Sequence, residues 1–335
     1  MSWRLVFWIN VPLCITILLI IQQAVKNAPA AASHKKLDWA GFITLIITTA
    51  TLVLALMEGN SFGWRSTFIV SLLGIAMVFG ALFYFCEKRA EEALIDFSIF
   101  KNKIFAGGVI TYFCIQITIM SMVFGAIYNQ DVLGFQPAIA GLLSLPGTLP
   151  VTFMGPMAGN MLDKYGVRRP VVIGLVLTLI GITLNSFMVH YQNYFYLLPG
   201  LLCNGFGIPL IMSPMGTAVI SSIEQSKQGV ASGMLNASRQ LGSCIGLALL
   251  SAIIISYNQH NLANFLTTHQ QAYPQVTVNQ LENLLNHIGN HQLTSLLPIA
   301  KASFASAYGF GLHICSIFLL IALVMSWRLL KPEHK

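Results

Sequence analysis

Long apolar segments, separated by short polar connections, make up most of the chain. A helix that crosses a bilayer needs about 20 mostly apolar residues. Nine segments have this character: 5–22, 39–57, 66–86, 104–128, 138–161, 171–190, 194–219, 232–256 and 306–330. Only the connection over residues 257–305 is long. The pattern therefore predicts an all-α polytopic membrane protein with about nine transmembrane helices.

Composition supports the bilayer as the solvent of this chain. Of the 335 residues, 56% are hydrophobic and only 9% are charged, and the mean hydropathy is +0.72. Soluble domains carry about 25% charged residues. The net charge of +7 does not indicate nucleic acid, because the basic residues lie in short loops between the apolar segments. We expect lipid, and no nucleic acid, as a partner.

The basic residues also predict the orientation of the chain. One alternating set of loops, with Arg328 at the last helix end, holds 14 of the 18 lysines and arginines. These loops are residues 23–38, 87–103, 162–170, 220–231 and 331–335. Loops rich in Lys and Arg stay in the cytoplasm. We therefore expect the N-terminus outside, the C-terminus in the cytoplasm, and residues 257–305 as an outer loop.

Glycine and proline predict bent, closely packed helices after residue 104. Both residues are frequent in 141–161 and 199–216. Bent membrane helices persist where protein or a watery cavity satisfies the freed backbone groups. Three glycine pairs predict close helix contacts: Gly155-x3-Gly159, Gly229-x3-Gly233 and Gly242-x3-Gly246.

The long loop contains an amphipathic pattern and several histidines. A short helix on the membrane surface or against a partner is predicted by the spacing of Leu281, Leu284, Leu285 and Ile288. His287 and His291 are four residues apart, a spacing that a metal ion can bridge. No third ligand stands at a convincing spacing, so we expect a solvated loop and no metal site.

The stretch "GNMLDKYGVRRP" (159–170) is the densest cluster of charge. Asp163 can accept backbone N–H bonds at a helix start, or pair with Arg168 or Arg169. Gly166 permits a positive φ in a tight turn. On these grounds alone, an ordinary cytoplasmic turn and a functional element are about equally supported.

This stretch resembles the cytoplasmic loop motif of the major facilitator superfamily, G-x-x-x-D-[RK]-x-G-x-[RK]-[RK]. The matching positions are Gly159, Asp163, Lys164, Gly166, Arg168 and Arg169. Val167 departs from the motif, since many members carry a basic residue there. The resemblance implies a charged latch that holds the cytoplasmic helix ends in one state of a transport cycle and releases them in the other.

Three further stretches resemble the fourteen-helix drug:proton antiporter group of that superfamily: "WRLVFWINVP" (3–12), "YNQDVLGFQPAIAGLLSLP" (128–146) and "GVASGMLNASRQLGSCIGLAL" (229–249). The first of them opens the sixth helix in that group. The resemblance thus implies that the nine segments are helices six to fourteen and that the chain lacks the first five. Residues 1–38 would be the last helix of the N-terminal bundle with a linker. Residues 39–103 would be two linking helices with a cytoplasmic loop, and 104–335 the C-terminal six-helix bundle.

Two charged residues are candidates for function. Arg239 lies inside a segment, where a charge costs about 2.5–3.5 kcal/mol, so it should face protein. It can form a packing or gating pair near Asn236 and Gln240, or extend to the cytoplasmic surface. Asp131, at the outer end of the segment 104–128, is a candidate proton-linked or outer-gate acid, or else a solvated loop residue.

A cavity that binds hydrophobic cations or uncharged drugs needs walls of aromatic, thioether and amide side chains that can adapt to the ligand. The candidates for such a wall are Tyr112, Gln116, Phe124, Phe153, Met154 and Asn204. For each of them, ordinary packing or lipid contact is the alternative. Gln116 and Asn204 are favoured, because buried amides need partners and tend to face an interior.

No nucleotide-binding or catalytic pattern is recognisable, so we expect neither an enzyme nor a cofactor. The prediction is a multi-pass transporter of the cytoplasmic (inner) membrane that exports hydrophobic or cationic compounds by proton antiport, in a truncated or split form. A separate chain would then supply the missing helices. By resemblance, a membrane-fusion adaptor and an outer-membrane channel are further partners. The alternative is a non-transporting membrane scaffold, assembly subunit or inactive remnant.

Overall fold

The computed structural model describes residues 8, 10–24, 38–89, 97–269, 273, 276–285 and 295–330. The regular elements in these ranges are all helical, which confirms the all-α fold. The α-helices are α1 (Asn10–Ala24), α2 (Trp39–Phe62), α3 (Thr67–Arg89), α4 (Lys103–Ile127), α5 (Pro137–Leu143), α6 (Leu145–Tyr165), α7 (Arg168–Met188), α8 (Tyr194–Ser221), α9 (Gln228–Thr268), α10 (Val278–Leu285) and α11 (Leu297–Leu329). A π-helical turn, Tyr128–Val132, continues α4.

The chain divides into two compact units, Met1–Asp38 and Trp39–Lys335. The first unit contains α1, an apolar helix shorter than a membrane span. The predicted span 5–22 lies partly outside the described residues. All the other helices belong to the second unit.

Seven of the described helices are long and apolar enough to cross a membrane, and the number is eight if α5 and α6 together count as one broken span. These two helices meet at a bend of 42° near Ser144. The sequence predicted a single span over 138–161. Pro146 lies in the first turn of α6 and has no N–H to donate, so the helix restarts there instead of running through.

The helices of the second unit pack around α4 and α8. Helix α4 lies against α9 and α11, whereas α8 lies against α6 and α7. Helix α11 also packs along α7. We name the helices α4 to α9 together with α11 the C-terminal bundle. Helices α2 and α3 form a hairpin that touches this bundle through α2 and α9, and most of its side chains are exposed.

The contact between α7 and α8 depends on four glycines. Gly174 and Gly181 lie seven residues apart on α7, and Gly200 and Gly207 lie seven residues apart on α8. A Cβ atom added to Gly181 would lie 2.6 Å from the carbonyl oxygen of Gly200, and one added to Gly174 would lie 2.6 Å from that of Gly207. Two helical turns separate the members of each pair, so both glycines face the partner helix. The absence of side chains lets the two backbones touch.

The glycine pairs predicted from the sequence behave differently from one another. Gly242 and Gly246 contact α4, and a Cβ atom added to Gly246 would lie 2.6 Å from the Cα atom of Ile117. The other two pairs have no neighbour within 4 Å of an added Cβ in the described part of the chain. The predicted close contacts of Gly155-x3-Gly159 and Gly229-x3-Gly233 are therefore wrong for this part of the fold, because the spacing does not reveal which face meets a neighbour.

The segment predicted as a long outer loop is largely helical. Helix α9 continues to Thr268, twelve residues beyond the predicted span, and α11 begins at Leu297 instead of 306. Polar residues excluded a membrane span here, but they do not exclude a helix. His287 and His291, the residues weighed as metal ligands, lie outside the described residues.

The amphipathic helix forms as predicted, but it packs against its own chain. Leu281 and Leu284 of α10 are buried in a small cluster with Leu262 of α9 and Leu296. Asn258 Nδ2 donates to Glu282 Oε1 at 3.4 Å, and Ser303 Oγ donates to Asn258 Oδ1 at 2.7 Å. The apolar face of α10 is thus already covered, which corrects the prediction of a membrane or partner contact. Ile288 lies outside the described residues.

Candidate functional site

The charged stretch 159–170 forms the turn between α6 and α7. Gly166 has φ +71°, and its N–H donates to the carbonyl oxygen of Leu162 at 2.9 Å. The positive φ predicted for this glycine is therefore observed. A residue with a side chain would be strained in this conformation, so glycine permits α6 to end and α7 to begin within two residues.

The two arginines of the turn lie over aromatic rings. The guanidinium carbon of Arg168 is 5.0 Å from the ring centre of Trp327 near the end of α11. That of Arg169 is 5.5 Å from the ring centre of Tyr165. Cation–π pairs at exposed sites contribute about 0.5–1 kcal/mol each. Arg168 thus connects the turn to a helix distant in sequence, whereas Arg169 stabilises the turn itself.

A cleft lies beside the motif turn, at the end of the bundle that we name the basic end. Asp163 is exposed and lines this cleft, which has a volume of about 390 Å³, together with Ile104, Val167 and Thr217. Val167, the departure from the motif, is only 4% exposed. A basic residue would be desolvated at this position, and that explains the valine physically. Lys164 is exposed and Gly159 is partly buried with open space beside it.

Asn102 joins two helix ends beside the cleft. Its Oδ1 accepts from the N–H groups of Ile104 and Phe105, which caps α4, and its Nδ2 donates to the carbonyl oxygen of Ser222 at 2.9 Å. The sequence interpretation missed this residue. An asparagine directly before an apolar run is the usual signature of a helix N-cap and could have indicated it.

Arg239 lies where α4, α8 and α9 meet. Its side chain is half-buried, and it is close enough to Tyr112 for an electrostatic interaction. The Tyr112 hydroxyl donates to the carbonyl oxygen of Met212 on α8. Ser238 Oγ donates to the carbonyl oxygen of Val109 at 2.9 Å, which fixes α9 on α4. The structure therefore places Arg239 beside Tyr112 of α4.

Polar side chains next to this junction are exposed, although the helices are apolar enough to cross a membrane. Asn236 and Gln240 on α9, and Ser213 and Thr217 on α8, all belong to this group. An amide exposed to hydrocarbon has no hydrogen-bond partner, which is unfavourable. We name the surface formed by these four residues the polar face, and Arg239 lies beside it.

The six residues predicted to line a drug cavity do not surround one common space in the described part of the chain. Asn204 is the member of this set that lines an internal cavity of about 50 Å³ in the bundle. Tyr112 and Phe124 are each 7% exposed and belong to the hydrophobic core. Gln116 lies at the contact of α4 with Gly242 of α9.

The two predicted cavity residues of α6 lie on its outer surface. Phe153 is 75% exposed and Met154 is partly buried. The types of these residues and their positions along the predicted spans could suggest them as a set. Neither property gives the direction in which each side chain points. A wall formed by Phe153 would require a neighbour beyond the described helices.

Asp131 lies in the π-helical turn Tyr128–Val132, at the opposite end of α4 from the basic end. Its side chain is half-buried, while the neighbouring Asn129 and Val132 are buried. The acid is therefore held in a structured helix end. Its position at the far end of the bundle from the motif turn agrees with the end-of-span placement predicted from the sequence.

Comparison with known proteins identifies the family. The helices define a polytopic α-helical protein of the cytoplasmic membrane, and a family model described as Major Facilitator Superfamily matches residues 39–247. The chain belongs to this superfamily. Its members are transporters, and this agrees with the expectation that the chain is not an enzyme.

Curated relatives carry names from drug resistance. The chain is 28% identical over 265 residues to "Multidrug resistance protein Stp" of Mycobacterium tuberculosis, covering 76% of this chain and 48% of the relative. It is 28% identical over 255 residues to "Quinolone resistance protein NorB" of Staphylococcus aureus strain MRSA252, covering 76% of this chain and 55% of the relative. The chain spans about half the length of the curated relatives it matches.

Proposed function

We propose that the C-terminal bundle is one half of a secondary transporter that exports drugs or other toxic compounds. It would act by alternating access, rocking against a second bundle around a site near the middle of the membrane. Membership in the superfamily and the names of the relatives support this function. The observation that carries the proposal is the exposed polar face beside the half-buried Arg239.

The polar face should contact protein or water rather than lipid. A charge inside a membrane helix almost always faces protein or a water-filled cavity. Asn236 and Gln240 flank Arg239 in sequence and are exposed. If a second bundle approaches this surface, the amides gain polar partners or line an aqueous passage. The second bundle could belong to the same polypeptide or to another chain.

The substrate class is proposed from exposed or partly buried side chains of α4 and α6. Phe153 exposes an aromatic ring, and Met154 and Gln116 offer a thioether and an amide. Flexible apolar walls with a few polar groups suit hydrophobic or cationic molecules of variable shape. We propose such molecules as substrates, with Tyr112, Phe124 and Asn204 supporting the helices that form the passage.

The motif turn would serve as the gate at the basic end, which we propose to be cytoplasmic. Arg168 links the turn to α11 through Trp327, and Asp163 lines the cleft next to Val167. Rocking of the bundles would open or close this cleft. Lys164, Arg169, Gly159 and Gly166 would shape the turn and supply its charge.

Proton antiport and the contact with an adaptor are finer parts of the same proposal. Asp131 is the candidate group for proton coupling, and Arg239 is the candidate for a packing or gating pair. The leucines of α10 face inward, so an adaptor would contact polar residues of this helix such as Asn283. These parts rest on the family resemblance and on the side of the membrane predicted from charge.

Gln240→Cys tests the polar face directly. In a variant without the six native cysteines, we expect this thiol to react with a water-soluble maleimide in intact membranes and ethidium to slow the reaction. The matched control is Ile317→Cys on α11, which is 52% exposed and about as deep, roughly 18 Å from the basic end of its helix. This thiol should stay unmodified in lipid. Equal labelling of the two variants would contradict an aqueous, substrate-facing surface.

A further inference from the structure

A second polar region lies inside the bundle, away from both the polar face and the motif turn. It is the internal cavity of about 50 Å³ between α4, α7, α8 and α11. The residues that line it range along α4 from Thr118 to Asn129. Eleven helical residues span roughly 16 Å, about half the thickness of the hydrocarbon core. The cavity therefore extends from the middle of α4 to the end opposite the basic end.

Two buried amides beside this cavity have an atom without a partner. Asn185 and Asn204 line it, each is 7% exposed, and the Oδ1 atom of each has no hydrogen bond from any of the described residues. A Cβ atom added to Gly181 would lie 2.9 Å from Asn204 Oδ1, and one added to Gly200 would clash with Asn185 Oδ1. Each amide thus occupies space left open by a glycine of the opposite helix.

Leaving these atoms unsatisfied would be unfavourable. An unpaired buried acceptor costs about 1–3 kcal/mol. A guest in the cavity that donates hydrogen bonds would remove this cost.

The hydroxyl groups that line the cavity indicate what the guest must be. Ser121 Oγ donates to the carbonyl oxygen of Thr118 at 2.7 Å, and Thr178 Oγ1 donates to that of Gly174 at 2.8 Å. Their protons are committed, so these groups offer only lone pairs to the cavity. The residues that line the cavity include no carboxylate, so a bare cation there would remain uncompensated. Water can donate to the oxygens and accept from the amide nitrogens.

We propose that this cavity is an internal water site. At about 10–15 Å³ for each molecule, it would hold roughly three to five waters. The waters bridge Asn185 and Asn204 across the glycine contact between α7 and α8. They hydrate the interior of the bundle as far as Thr118 and Thr178. This assignment concerns the bundle itself and does not depend on the transport proposal.

The unmodified protein allows a first test. Hydroxyl radicals generated by X-rays in nanodisc samples oxidise side chains next to ordered water. Met122 lines the cavity, whereas Met77 on α3 is 76% exposed on the hairpin surface, where we expect lipid. We expect Met122 to be oxidised faster than Met77. Oxidation of Met122 that is no faster than that of Met77 would overturn the proposal.

A pair of neighbouring variants provides the second test. In the cysteine-free background, Asn185→Cys should react with silver ions at least about tenfold faster than Leu184→Cys, because only a hydrated thiol ionises readily. Leu184 is at the same depth and 37% exposed on the outer surface of α7. Equal rates in folded, monodisperse samples would overturn the proposal. Strong slowing of the Asn185→Cys reaction by sodium ions would assign the cavity to a cation and overturn water as its guest.

Discussion

Replacing Gly181 with valine is expected to prevent α7 and α8 from packing and to remove folded protein from detergent extracts. Even the first added carbon would lie 2.6 Å from the carbonyl oxygen of Gly200. Overpacking a core costs about 1–3 kcal/mol when side chains can adjust. Here the obstacle is backbone, so we expect the cost to reach the upper end of that range or exceed it.

The matched control for this substitution is Gly74→Val in α3. Gly74 is also a helical glycine, but an added Cβ atom meets nothing within 4 Å. Size-exclusion profiles and thermal unfolding in the same detergent compare the two variants. The wild-type profile should persist for Gly74→Val and be lost for Gly181→Val. A Gly181→Val protein with an unchanged unfolding temperature would show that the α7–α8 contact is looser than described.

The glycine contact also shows where sequence reasoning reached its limit. Apolar length predicted the helices, and a glycine in a tight turn predicted the positive φ of Gly166. Spacings of four residues directed attention to Gly155 and Gly229, which have open space beside them, whereas the heptad glycines such as Gly181 pass unnoticed. A spacing establishes which residues share a face of one helix. It does not establish which face meets another helix, since this depends on the packing of the whole bundle.

The same limit applies to the candidate site. Arg239 could be identified from sequence because a charge within an apolar segment is costly wherever it points. Its closeness to Tyr112, 127 positions earlier, depends on how α4 and α9 cross. Polarity likewise suggested a loop after residue 256, although α9 continues as a helix with Leu262 buried against α10. Local composition predicts whether a segment lies in the membrane or in water more reliably than it predicts whether the segment is a helix or a loop.

Replacing Arg239 with glutamine is expected to lower transport by the two-bundle assembly about 10- to 100-fold, the loss expected if this charge forms hydrogen bonds worth about 1.5–3 kcal/mol with the substrate or with the second bundle. The charge lies at the junction of α4, α8 and α9, next to the polar face. Its loss would change the electrostatic environment of Tyr112 and of any substrate or proton that passes. Initial rates of proton-driven dye export in proteoliposomes measure the effect.

Two further variants separate this role from a general loss of charge. Arg89→Gln removes the same charge from the exposed end of α3, and its transport should equal that of the unmodified protein. Arg239→Lys keeps the charge and should retain part of the activity, since an ammonium cannot reproduce the planar guanidinium. Export by Arg239→Gln equal to that of Arg89→Gln would remove Arg239 from the proposed mechanism.

The central claim is that this bundle transports only together with a second one. The most direct measurement is dye export in proteoliposomes driven by a proton gradient. One sample would contain this chain alone, and the other would also contain a polypeptide supplying the half of its relatives' length that the chain does not span. We predict gradient-dependent export from the combined sample alone, and its loss when a protonophore collapses the gradient. Export by the chain alone, or none from a combined sample in which the complex has formed, would contradict the account.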